Sequence, residues 1–68
     1  MKISARNQLQ GIVEDVTLGV VTASVTIRVG ENLIESVITR QSVEEMGIKK
    51  GDPITALIKA TEVLLMVE

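Results

Sequence analysis

The sequence predicts an all-β protein in which one short helix interrupts a series of about five strands. Apolar and polar residues alternate with a period of two along much of the chain. Turn-forming residues separate these alternating runs. The length of 68 residues lies below the usual range for one domain, so we expect a single domain over residues 1–68.

The first three strands include a predicted hairpin. The chain enters the first strand within ISARNQLQG, residues 3–11. The clearest alternation lies in VVTASVTIRV, residues 20–29, where one face carries Val21, Ala23, Val25, Ile27 and Val29. Gly30 and Asn32 in the segment GEN tolerate positive φ, so LIESVIT, residues 33–39, is expected to return as the hairpin partner.

The pattern then changes from strand to helix and back. Ser42 and Glu45 have the spacing of a capping box, which predicts a helix N-terminus at Ser42, and Gly47 is placed to end the helix. Alternation resumes in ITALIKA, residues 54–60, and EVLLMV, residues 62–67, predicts a last strand. About five strands with a helix between the third and fourth indicate a small Greek-key barrel of the OB type.

The composition indicates self-association. The chain has no cysteine and no histidine, which excludes disulfide bonds and the usual zinc ligand sets. It is 46% hydrophobic, with no aromatic residue and a mean hydropathy of +0.36. A chain this short buries only about 60% of its unfolded surface, so part of its aliphatic surface is expected to pack against another subunit.

The net charge and the distribution of apolar residues argue against nucleic acid and membranes as binding partners. A net charge of −2 and a pI near 5.0 provide no basic field for a nucleic-acid backbone. Base stacking on aromatic side chains is also excluded. Nothing resembles a signal peptide, and Lys59 and Glu62 break the longest apolar run. We therefore expect a cytoplasmic protein without nucleic-acid or membrane partners.

Catalytic patterns are missing from the sequence. Without histidine or cysteine, the chain lacks the commonest general base and the strongest nucleophile. The carboxylate pairs Glu14-Asp15 and Glu44-Glu45 are sequence neighbours, which is typical of a solvated surface. No glycine-rich phosphate loop and no G-x-S-x-G elbow occur. We therefore predict that the protein is not an enzyme.

Two cations stand in unusual surroundings. Lys59 lies on the same strand face as Thr55, Leu57 and Thr61, none of which offers a counter-charge. Its stem would also fit an edge strand with the ammonium in water, and Arg6 taken alone fits a solvated terminal segment. Both lie beside hydroxyls and a small residue, in SARN and KAT, where backbone N–H groups are uncovered. This composition suits a bound anion.

The same motifs carry a resemblance to a known family. ISARNQLQG, VITRQSVEEMGIKKGD and ALIKATEVLL closely resemble the molbindins, small molybdate-binding proteins, over the whole chain. The resemblance implies an OB-like barrel that forms a dimer by strand exchange and a homohexamer as a trimer of dimers. It also implies storage or buffering of molybdate, with tungstate as a related ligand.

The resemblance also implies a site for a tetrahedral oxyanion at a subunit interface. Ser4 and Arg6 of one subunit would meet donors of a neighbour, namely Thr39, Ser42, Lys59, Ala60 and Thr61. A further oxyanion site on the threefold axis would involve Gly19, Val20 and Thr22. Many relatives carry lysine just before that glycine, where this chain has Leu18, so the charge available there is smaller.

Two other classes of function remain open from the sequence. EEMGIKKGDPI is similar to a turn of swapped-hairpin transcription factors, which would make the protein a dimer that binds DNA, although its cations are dispersed along an acidic chain. The other alternative is an oligomeric scaffold without a ligand.

Overall fold

Four antiparallel strands form one sheet in the computed structural model, which describes residues 2–68. The strand order is β3-β2-β1-β4. The strands are β1 (Asn7–Leu18), β2 (Thr22–Val29), β3 (Asn32–Thr39) and β4 (Pro53–Ile58). Helix α1 (Arg40–Met46) connects β3 to β4, and a short 3₁₀ turn, Ala60–Glu62, follows β4. The predicted mainly-β architecture, with one helix between the third and fourth strands, is confirmed.

Strand β1 is shared between two ladders. Its first half pairs with β4, from Asn7 opposite Ile58 to Ile12 opposite Pro53. Its second half pairs with β2, and Ile12 takes part in both ladders. A register shift between Val13 and Asp15 marks a β-bulge, which bends the strand where the pairing passes from one neighbour to the other.

The β2–β3 hairpin forms as predicted. Val29 pairs with Asn32, so only Gly30 and Glu31 form the turn. Gly30 has φ 62°, a left-handed conformation that costs glycine little because it has no Cβ.

Helix α1 starts earlier than the capping-box spacing predicted. The N-cap is Thr39, which has an extended backbone and whose hydroxyl accepts a hydrogen bond from the Ser42 N–H at 3.0 Å. Ser42 therefore lies inside the first turn, and Glu45 accepts from Gln41 Nε2 at 3.0 Å instead of acting in a capping box. The prediction of Ser42 as the cap was wrong. Gly47 ends the helix with φ 65°, as expected.

The turn before β4 is attached to the bulge of β1. Val13 N–H donates to the Asp52 carbonyl at 2.9 Å, and Gly51 N–H donates to the Val13 carbonyl at 2.8 Å. The Lys49 N–H donates to an Asp52 carboxylate oxygen at 3.1 Å, which closes the turn. These bonds place the first residue of β4 beside the middle of β1.

The core is small and aliphatic. The buried apolar residues are Ala5, Val13, Ala23, Val25, Ile27 and Val43. The predicted inward face of β2 is confirmed for its three central members. Val21 is 71% exposed because it precedes the first paired residue of β2, so its predicted inward position was wrong.

The predicted fifth strand is not formed. Residues 63–67, named here the C-terminal arm, follow the 3₁₀ turn without pairing to a strand. Leu64, Leu65, Met66 and Val67 are 90–94% exposed. A strand needs a neighbour for its backbone hydrogen bonds, and the arm has none within one chain. Among residues 2–68, no helix has the length and apolarity that a membrane span requires.

An apolar groove lies between the two edge strands. The sheet curls, so its two edge strands, β3 and β4, both line a space of about 460 Å³. Val25 and Ile27 of β2 also contribute to the lining, together with Met46 and Ile48 from the helical connection.

Candidate anion-binding site

Arg6 and Lys59 lie at the end of the β1–β4 ladder. The last pair of that ladder joins Asn7 to Ile58, and the two cations are the next residues along each strand. The Asn7 side-chain amide donates to the Ile58 carbonyl at 3.2 Å, which strengthens this end of the ladder. Positions 51 residues apart in the chain therefore become neighbours here.

The alternation of β1 and β4 places both cations on the exposed face. Gln8 pairs with Leu57, and Gln10 pairs with Thr55, and all four of these residues are exposed. Side chains two positions apart share a strand face, so the series continues to Arg6 on one strand and to Lys59 on the other. Both are exposed. Thr61, which was predicted to share this strand face with Lys59, lies instead in the 3₁₀ turn because β4 ends at Ile58, so that part of the prediction was wrong.

Neither cation forms an ion pair with the residues that the structure describes, 2–68. By contrast, Arg28 is bonded to Glu14 at 2.8 Å, and Arg40 is bonded to Glu44 at 2.9 Å. The Arg28–Glu14 hydrogen bond lowers the pKa of Glu14 and raises that of Arg28. Two neighbouring cations without a counter-charge make an arrangement that an anion stabilises.

Backbone groups beside the two cations add donors. Ala5 is buried and its carbonyl accepts from Gln8 Nε2 at 3.3 Å, which holds the chain between Ser4 and Arg6 against the sheet. In the 3₁₀ turn, Glu62 N–H donates to the Lys59 carbonyl at 2.9 Å and Val63 N–H donates to the Ala60 carbonyl at 3.4 Å. The N–H groups of Ala60 and Thr61 open the turn and have no partner inside it.

Thr39 and Ser42 form a separate group of hydroxyl donors at the start of α1. Thr39 Oγ1 donates to Ser42 Oγ at 2.8 Å and accepts the Ser42 N–H. Thr39 also pairs with Thr22, at the end of the sheet where β1 finishes with Leu18. This hydroxyl pair therefore belongs to the opposite end of β1 from the two cations.

The residues predicted for a threefold-axis site lie against this hydroxyl pair. Gly19 N–H donates to the Thr22 carbonyl at 2.8 Å, which makes a tight β1–β2 connection, and Val20 at its tip is 93% exposed. Arg40 Nη1 donates to the Gly19 carbonyl at 3.2 Å. Sequence reasoning missed Arg40 as a cation at this loop, although its position directly after Thr39 offered the signal.

One chain does not bring the predicted donors together. The 12 residues of β1 separate the cation group from the hydroxyl group. Within one chain, Arg6 and Lys59 each adjoin the last pair of the β1–β4 ladder, whereas Thr39 and Ser42 lie beyond the other end of β1. How the donors divide between subunits therefore stays a prediction.

Among residues 2–68, no cluster of three acidic side chains suited to a metal ion occurs.

Comparison with known proteins identifies the family. Residues 3–65 match the TOBE domain. Molybdenum-pterin-binding protein 1 from Clostridium pasteurianum is 49% identical over 67 residues, which cover 97% of this chain and 98% of that protein. The structure of a molybdate-binding protein from Sporomusa ovata has a TM-score of 0.94 at 36% identity and covers 98% of this chain and 100% of that chain. ModG, described as a cytoplasmic molybdate-binding protein and solved with molybdate bound, has a TM-score of 0.84 at 41% identity, covering 88% of this chain and 43% of that chain.

The chain belongs to the TOBE domain family. Within this family it is homologous, over nearly its whole length, to the small molybdenum-pterin-binding proteins of the Mop type. The resemblance to the molbindins that the three motifs carry is thus confirmed, and so is the OB-like fold.

Proposed function

We propose that this protein binds molybdate at its subunit interfaces and acts without catalysis in the storage and homeostasis of molybdenum in the cytoplasm. The observation that carries the proposal is the pair of neighbouring cations without an ion-pair partner, Arg6 and Lys59, at the end of the β1–β4 ladder. The chain is 49% identical over 67 residues to molybdenum-pterin-binding protein 1, and the related ModG was solved with molybdate bound.

The proposed ligand set consists of donors alone. The cations offset the charge of a dianion, and hydroxyl and backbone N–H groups bond the remaining oxygen lone pairs. The proposed donors are Ser4, Arg6, Thr39, Ser42, Lys59, Ala60 and Thr61. Molybdate and tungstate are fully deprotonated near neutral pH and need no acceptor, whereas phosphate partly retains a proton and requires one.

This donor set predicts selectivity among tetrahedral anions. In titration calorimetry, molybdate and tungstate should bind clearly, sulfate weakly and phosphate hardly at all. Sulfate has shorter bonds than molybdate at the same charge, so cavity size accounts for its weaker binding. Equal affinities for phosphate and molybdate would contradict the proposal, because a phosphate proton would then have an acceptor such as a carboxylate in the site.

The groove and the C-terminal arm support the proposed strand exchange. The groove between β3 and β4 is lined mainly by aliphatic side chains, with Glu35, Ser36 and Thr55 among them, and the two free strand edges can bond a further strand. The arm is apolar and exposed, and it is close in length to the 6 residues of β4. We propose that the arm of one subunit fills the groove of its partner, and that three such dimers form a homohexamer.

If the protein forms this homohexamer, its mass in solution should be much larger than the 7.3 kDa of one chain. Light scattering at micromolar concentration and moderate salt should give the mass of a hexamer. Native mass spectrometry with added molybdate should report subunits and bound anions together. A monodisperse monomer in both measurements would refute the assembly and, with it, any site shared between subunits.

The proposed threefold-axis site offers an anion less positive charge than the Arg6 and Lys59 region. Gly19, Val20 and Thr22 offer backbone and hydroxyl donors at an exposed loop, but Leu18 brings no charge. The nearest cation described there, Arg40, is already bonded to Glu44. We therefore assign the main anion sites to the Arg6 and Lys59 region.

A further inference from the structure

We propose, on the basis of the proposed function, that anion binding and docking of the C-terminal arm are coupled, so that molybdate tightens the subunit assembly. The reason is that the same residues belong to the proposed anion site and to the connection that leads into the arm. Lys59, Ala60 and Thr61, which are proposed anion donors, are also the connection between β4 and the arm. A ligand bound to these residues therefore acts on the element that determines the direction of the arm.

The connection itself is weakly fixed within one chain. It is a single 3₁₀ turn with two backbone hydrogen bonds of 2.9 and 3.4 Å. Lys59, at its N-cap, provides no side-chain hydrogen bond to the turn. Both flanking residues have extended backbones, with ψ 136° at Lys59 and ψ 119° at Val63. Small changes of these few dihedral angles redirect the whole arm.

An anion would add bonds at this same turn. The Lys59 ammonium and the N–H groups of Ala60 and Thr61 would all bond one ligand, which fixes their relative positions. The arm would then leave the turn in a defined direction and lose less conformational freedom when it enters a partner's groove. In the opposite sense, a docked arm holds the turn in the conformation that the anion requires.

The coupling is reciprocal and has a predictable size. A ligand that binds only the assembled state raises the association constant by the factor 1 + [L]/Kd for each site. Molybdate at one hundred times its Kd should therefore strengthen association about a hundredfold per site. The proposed function requires that molybdate bind at a subunit interface, and the coupling adds that the C-terminal arm is the element through which binding and assembly affect each other.

The first test is a dilution series of the full chain with and without sodium molybdate. Sedimentation velocity with interference optics suits this chain because it has no aromatic residue to absorb at 280 nm. The midpoint of dissociation should fall at least about tenfold in protein concentration with saturating molybdate. Sodium sulfate at equal ionic strength is the control and should shift the midpoint much less. An unchanged midpoint with molybdate, in protein shown by calorimetry to bind it, would overturn the coupling.

The second test weakens the arm and leaves every proposed donor in place. The double variant Leu64→Asn/Leu65→Asn places an uncharged polar group in the groove whichever face of the arm is inward, since successive side chains of a strand alternate. We expect it to dissociate and to bind molybdate at least about tenfold more weakly, with association restored by high molybdate.

The matched control changes two exposed apolar residues outside the arm and the groove. Leu33 and Val37 on β3 are 56% and 71% exposed, and the double variant Leu33→Asn/Val37→Asn should assemble and bind molybdate like the wild type. An arm variant that stays assembled through its other contacts and binds molybdate with wild-type affinity would overturn the coupling and leave the proposed function standing. A monomeric arm variant with wild-type affinity would overturn both the coupling and the interface location of the site. A wild-type protein that binds no molybdate would instead refute the proposed function.

Discussion

The variant Lys59→Met is expected to bind molybdate about tenfold to a hundredfold more weakly than the wild type. A charge-assisted hydrogen bond contributes roughly 1.5 to 3 kcal/mol, and this variant removes one from the proposed site. Methionine keeps the length and the apolar contacts of the lysine stem, so the assembly should persist. Without anion it should be as stable as the wild type or more stable, because in the proposed site the Lys59 ammonium would no longer repel Arg6 of the neighbouring subunit.

Two companion variants make the Lys59 experiment specific. Arg6→Met should lower the affinity at least as much, because the guanidinium bonds an oxyanion through two N–H groups. Lys49→Met removes an exposed cation from the turn before β4 and should leave the affinity unchanged. Wild-type affinity in calorimetry on assembled Lys59→Met would show that the Lys59 ammonium only extends into water. It would refute Lys59 as a ligand of the proposed site.

The variant Gly11→Ala is expected to destabilise the fold by about 1–3 kcal/mol or more, which is a large share of the stability of a small domain. A Cβ at Gly11 would lie 2.4 Å from the Arg28 carbonyl oxygen and 3.0 Å from methyl carbons of Ile27 and Val29. The carbonyl belongs to the backbone of β2 beside the Ile12–Arg28 pair, so it is not free to move away without disturbing the ladder. Urea unfolding followed by far-ultraviolet circular dichroism should show the loss.

The neighbouring variant Gln10→Ala is the control for this effect. Gln10 is exposed on the same strand, so its truncation should change the midpoint of unfolding only slightly. All proteins are compared at one concentration, because assembly itself adds to the apparent stability. Equal midpoints for Gly11→Ala and the wild type would show that β1 and β2 separate at this position at little cost.

Alternation predicted the strands because each has one face on the core and one toward solvent. The β2 residues Ala23, Val25 and Ile27 show this directly, since they are buried while their neighbours are partly or fully exposed. The start of α1 was missed for a physical reason. A capping residue is defined by the extended backbone that it retains, and the end of β3 gives that conformation to Thr39 and not to Ser42.

The arm and the site show where the sequence stops being informative. EVLLMV has the composition of a buried strand, but burial requires a neighbour, and the pattern does not say which chain provides it. The motifs around Arg6 and Lys59 were recognised separately, whereas their proximity follows from the register of β1 with β4. The remote position of Thr39 and Ser42 likewise depends on how β1 is divided between its two ladders.

The long separation across the β1–β4 ladder has a consequence for the order of folding. The β2–β3 hairpin closes over the two turn residues Gly30 and Glu31, whereas Asn7 and Ile58 must meet across 51 positions. Closing the longer loop costs more entropy, so we expect the hairpin to form early and the β1–β4 ladder to form late. Arg6 and Lys59 become neighbours only in that late step. Under the proposed function, a nascent or half-folded chain therefore takes up no molybdate, and only polypeptide that has finished folding withdraws the anion from the cell's free pool.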